Sequence, residues 1–151
     1  MSQLLIIALV LHVFFGIFGV IASYVSWLSL LRPKPNLKWL RFSSLSGFLL
    51  FLASWLFGGY YYVNYYGATV KPIIKAGPYP WAHSFLMESK EHLFLFLPFL
   101  TLVIFLVSFL CGEKLEVGKR CKKPLAWLAG LTFVLGIFIT LSGVLISGAV
   151  R

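Results

Sequence analysis

Residues 81–97 read WAHSFLMESKEHLFLFL, a polar opening that passes directly into an apolar run continuing to Cys111. The stretch carries His83, Glu88, Lys90, Glu91 and His92, which are two of the three histidines and two of the four acidic residues of the chain. A polar turn feeding about 20 apolar residues is how a membrane-spanning helix begins at the water boundary. The fold then turns on whether the chain supplies partners of the same length.

Three more such runs are present. Leu4 to Leu31 is apolar apart from His12 and small residues; it exceeds the apolar region of a cleavable signal peptide, and no basic segment precedes it. Pro33 and Pro35 close it. A second run, from about Phe42 to Tyr66, ends in GGYYYVNYYG (Gly58–Gly67), whose five tyrosines suit a membrane–water interface. Gly67 to Pro80, with Pro72, Gly77, Pro78 and Pro80, reads as a short, stiffened external loop. After the basic loop GEKLEVGKRCKKP, a fourth run occupies Leu125 to Val150. The expectation is one all-α integral membrane domain over 1–151, an up-and-down bundle of four transmembrane helices over about 4–31, 42–66, 81–111 and 125–150.

Composition agrees: the 151 residues are 60% hydrophobic and 11% charged, with a mean hydropathy of +0.94. The net charge of +9 does not point to nucleic acid, because the basic residues lie in short clusters between apolar runs, where they fix orientation and meet anionic lipid. Arg32, Lys34, Lys38 and Arg41 fill the first loop; Lys114, Lys119, Arg120, Lys122 and Lys123 fill the third; the second holds only Lys71 and Lys75. Retention of positive charge inside puts the basic loops in the cytoplasm, both termini outside, and the protein in the plasma (cytoplasmic) membrane. Cys111 and Cys121 match no metal or haem-attachment spacing and read as ordinary reduced thiols.

Depth gives the first functional clue. His12 lies 19 residues before Leu31, and His92 lies 19 before Cys111, so each sits roughly 28 Å from the inner end of its helix. The two histidines share a level near the outer edge with Tyr60 to Tyr62, and Glu88 lies one turn above His92. On the first helix His12, Gly16, Gly19, Ser23 and Ser26 recur at spacings of four and three, a small-residue stripe that points His12 into the bundle. The second helix offers Gly47, Phe51, Ser54, Gly58, Tyr61 and Tyr65, and the fourth Ala126, Ala129, Phe133, Gly136, Thr140, Gly143 and Ser147. On the third, Glu88 and His92 are i,i+4 neighbours on a face that continues as Leu95, Phe99, Val103 and Leu106, with Glu91 about 60° away. His83, about 180° from His92, joins only if that helix starts later. Lys90 is expected to snorkel to the interface.

Two imidazoles from parallel helices at one depth can fill both axial positions of a haem iron. In architecture and in the placement of His12 and His92, the chain resembles the bis-histidine b-type membrane cytochromes and the related four-helix copper-resistance membrane proteins. That resemblance implies one haem b with His12 and His92 as axial ligands, Gly16 allowing close approach and Tyr61 nearby, and electron transfer with a quinone or another redox partner. Read from the residues alone, His12, His92 and Glu88, with His83 or Glu91, also form a candidate site for a copper, zinc or iron ion, and Glu88 with His92 a candidate proton relay. A third reading is a non-catalytic membrane subunit or scaffold, its glutamates favoured by the helix dipole. A homo-oligomer stays open. The chain has no Asp and no G-x-S-x-G, so a hydrolase is not expected.

Overall fold

The computed structural model describes residues 1–112, 114–117 and 119–150. Glu113, Gly118 and Arg151, which the reading of 1–151 as one domain includes, lie outside the described residues, as do the side chains of Lys119 and Arg120, counted above among the third-loop charges. Among the described residues every regular element is helical: α1 (Gln3–Leu31), α2 (Leu37–Tyr61), a π-helical segment π1 (Tyr62–Val70), α3 (Lys71–Ala76), a second π-helical segment π2 (Ala82–Met87), α4 (Glu88–Leu110), α5 (Lys114–Val117) and α6 (Lys119–Gly148). Among the described residues four stretches are long and apolar enough to cross a membrane: Gln3–Leu31, Leu37–Ala76, Ala82–Leu110 and Cys121–Gly148. Their number and hydropathy are those of a multi-pass membrane protein.

The helix ends follow local chemistry. Ser2 caps α1 through Leu5 N–H, and α1 stops at Leu31 because Pro33 disfavours helical backbone at the residue before it. Asn36 caps α2 by accepting from Trp39 N–H at 3.2 Å, which starts that helix five residues before the expected Phe42. The expected loop Gly67–Pro80 is the largest difference from the sequence reading, because helix continues through it to Ala76. Pro72, which carries no N–H, stands at the junction where the π-helical segment π1 passes into α3. The turn shrinks to residues 77–81, where Gly77 and two prolines coincide.

α1 packs against α2 and α6, and α4 packs against the same two, so α1 and α4 stand diagonally across the bundle. Three buried clusters follow one another along the axis. Leu30, Leu40, Ile104, Leu115, Leu125 and Ala129 fill the end that carries the basic loops. Val20, Phe51, Phe94, Leu97 and Ile139 form the middle. Tyr66, Val70, Ile74, Ala82, Leu86, Ile146 and Ala149 form the end that carries both termini. Small residues let the helices close on one another: a Cβ at Gly19 would stand 2.7 Å from the Phe51 ring. Buried hydroxyls return to carbonyls of their own helix or cross between helices, as Ser26 does to Ser43 at 2.8 Å, which satisfies polar groups that lipid cannot.

On α4 the buried residues are Phe94, Leu97, Pro98, Thr101, Ile104 and Ser108. The face expected to point inward, continuing through Leu95, Phe99, Val103 and Leu106, is instead exposed. The helix is turned by about half a revolution from the expected setting. The physical reason is that Thr101 and Ser108 accompany the close packing against α2, where Thr101 abuts Gly47, whereas large apolar side chains lose nothing by facing lipid.

Candidate functional site at the termini end of the bundle

His12 is held by a reciprocal clamp to α2. Its Nδ1 lies 2.8 Å from the Ser54 carbonyl oxygen, and the Ser54 hydroxyl donates to the His12 carbonyl at 2.8 Å. A carbonyl can only accept, so Nδ1 carries the proton and Nε2 is left as an acceptor. The space for the ring comes from Gly58: a Cβ there would stand 2.8 Å from its Cε1 and closer still to Nδ1. Phe94 of α4 meets the imidazole edge-on, with ring centroids 6.1 Å apart.

His12 borders two adjoining cavities. The larger, about 570 Å³, opens among Leu9, Gly58, the tyrosines 61, 62, 65 and 66, Lys90, Glu91, Phe94 and Gly143, and it reaches Met1 and Val150 at the termini end. The second, about 530 Å³, lies between α1 and α6 and shares His12, Lys90, Phe94, Gly143 and Ser147 with the first. Lys90 therefore does not snorkel away from the bundle. Its Nζ lies 3.3 Å from where a Cβ of Gly143 would stand on the facing helix. The polar groups that border this largely apolar space include an imidazole, an ammonium, a carboxylate with one sealed and unpartnered oxygen, Glu91 Oε1, phenol hydroxyls, and the hydroxyls of Ser54, Thr140 and Ser147. Tyr61 and Tyr65 pack at 5.7 Å and Tyr62 and Tyr66 stack at 5.3 Å along the wall.

The remaining expected site residues lie elsewhere. His92 is exposed and gives its Nδ1 proton to the Glu88 carbonyl of its own helix at 2.7 Å; it borders neither cavity. Phe94, two residues on, touches His12, so the two histidines share a depth as expected but not a facing. In this arrangement they do not meet across a cavity, and they do not fit an axial pair for one haem within a single chain. Glu88 is exposed beside His92. His83 is almost wholly buried, 1% exposed, with Nδ1 3.1 Å from the Tyr66 hydroxyl and Nε2 without a partner; the two π-helical segments bring this pair together. Gly16 borders the second cavity, where a Cβ would stand 3.3 Å from Ser54 Oγ. Among the described residues no three of His, Cys, Asp and Glu stand close enough to hold a metal ion.

Two residues central to the cavity are not among the site residues expected from the sequence: Phe94, and Lys90, whose expected role is snorkelling. The signal was present: Lys90, Phe94, Leu97, Thr101, Ile104 and Ser108 follow the same four-three spacing used to orient α1. The single strongly charged side chain at its head hid it. No family model matches the chain, and comparison with characterised proteins and with solved structures also returns no match.

Proposed function

We propose that this chain is a multi-pass membrane protein that binds a lipid-soluble molecule of the quinone class, with both termini on the outer side of the plasma membrane and the basic loops in the cytoplasm. The observation that carries the reading is the His12 clamp: an imidazole fixed as the Nδ1–H tautomer by Ser54, bordering an apolar cavity that also contains Lys90. A quinol hydroxyl can donate to Nε2, and the Lys90 ammonium can donate to a quinone carbonyl or hold an anionic ring oxygen. The tyrosine wall supplies flat contact for an aromatic head. Such sites are largely apolar with a few placed polar groups, and about 570 Å³ lies within their usual size range. The positive-inside count of the basic loops supports the sidedness.

The test is a titration of the purified protein in mild detergent with a short-chain naphthoquinone, read as quenching of Trp55, which borders the cavity. The wild type should quench saturably, with Trp55→Phe as the reference for the other tryptophans, and His12→Ala should weaken binding by about tenfold, the loss of one hydrogen bond to an uncompensated partner. Quenching that never saturates and is equal in His12→Ala would overturn the reading. An absorption spectrum of the same sample with sharp reduced haem bands that vanish in His12→Ala would replace the quinone with a haem.

A further inference from the structure

At the opposite end of the bundle, nine residues separate Cys111 from Cys121, and the fold returns both to the rim of one buried cluster. Cys111 ends α4 with its N–H on the Val107 carbonyl at 2.8 Å, and its own carbonyl accepts from Lys114 N–H at 2.9 Å. Between them Gly112 adopts φ +45°, a left-handed backbone that a residue with a Cβ resists. This turn folds α5 back, so that Leu115, wholly buried, plugs the cluster around Leu30, Leu40 and Ile104. Cys111 and Cys121 both pack on the rim of that cluster, half-buried, and both are free thiols.

We propose that Cys111 and Cys121 form a redox-active dithiol that closes to an intramolecular disulfide in exchange with a small disulfide such as oxidised glutathione. This rests on the placement of the two thiols and is independent of the quinone reading. One thiolate attacks a sulfur of the small disulfide, breaking its S–S bond and releasing one small thiol. The second cysteine then attacks the mixed disulfide, forming the Cys111–Cys121 bond and releasing the other small thiol. The chain loses two protons and two electrons; the small disulfide is reduced to two thiols. The Cys121 thiol and partial burial hold the Cys111 thiol above its ordinary value, while the Lys114 ammonium acts the other way. Since the thiolate is the nucleophile, closure is slow at neutral pH and quickens as pH rises. Nearness of the second thiol rather than acidity of the first is what favours the ring.

The experiment uses the full chain in mild detergent, incubated with excess oxidised glutathione, acid-quenched, alkylated with N-ethylmaleimide and weighed intact. The wild type should lose two hydrogens and both alkylation sites, with no lasting glutathione adduct. Cys111→Ser and Cys121→Ser should each keep one stable adduct, because the resolving thiol is gone. A wild type that accumulates one or two stable adducts, forms only interchain dimers, or leaves both thiols free to alkylation while the denatured chain reacts would overturn the proposal.

Discussion

One carbonyl oxygen decides the character of His12. Because the Ser54 carbonyl, and not only its hydroxyl, meets Nδ1, the tautomer does not depend on the serine side chain. Ser54→Ala removes the donor to the His12 carbonyl and should destabilise the bundle by about 0.6–1.7 kcal/mol, the range for hydrogen bonds between membrane helices, while quinone affinity stays within about twofold. Gly58→Ala acts oppositely. Its methyl overlaps the imidazole, and the ring yields by rotating away from Ser54 because its torsions are softer than the backbone of α2. Thermal unfolding should shift by little more than in Ser54→Ala, whereas naphthoquinone affinity should fall by about tenfold or more. Equal binding losses in the two variants would mean that the ring's setting has no part in binding.

At the scale of the element, the facing of α4 separates what was legible from what was not. The sequence carries the helix, its depth and the common level of His12 and His92, because these depend on counting residues from charged ends. It carries the inward stripe of α1 and the inner positions Gly47, Phe51 and Ser54 of α2, because small and polar residues in lipid belong at helix contacts. It misleads on α4, where Glu88 and His92 look like buried chemistry but lie in the first turns, close enough to water to stay outside. The two π-helical segments have no sequence signature in this reading, and without them His83 could not be set against Tyr66.

The same facing makes Lys90 testable. A lysine that turns an ammonium into an apolar cavity costs stability for lack of water, and among the described residues no carboxylate pairs with it at salt-bridge distance. Lys90→Met should therefore raise the unfolding temperature in detergent while lowering naphthoquinone affinity by about tenfold. A snorkelling lysine would leave both unchanged. In the hairpin of π1 and π2, Tyr66→Phe removes the hydrogen-bond partner of His83 Nδ1, so that a second buried ring nitrogen joins Nε2 in being unsatisfied, at a cost of about 1–3 kcal/mol. Tyr66→Phe combined with His83→Phe should recover part of it, and a thermal double-mutant cycle reads the difference.

For the whole molecule, the order of helices around the bundle follows from short connections and four alternating spans, and that much is readable from hydropathy alone. The division of labour between its two ends is less so. The termini end has the extension of the second span through π1 and α3, six of the seven tyrosines and the two cavities described; the basic end has nine of the thirteen Lys and Arg residues, the plug at Leu115 and the thiol pair. Which end faces the cytoplasm decides whether each proposal meets its chemistry, since small disulfides and thiols are buffered inside a cell and disulfides persist outside it. Nine of the thirteen basic residues at one end argue that the thiols face inward. In intact cells, a membrane-impermeant maleimide should leave Cys111 and Cys121 unlabelled until the membrane is permeabilised, while a Ser2→Cys variant in a Cys111→Ser, Cys121→Ser background should label at once. The reverse pattern would invert the bundle, put the thiol pair where a disulfide forms permanently, and turn the quinone cavity toward the cytoplasmic leaflet.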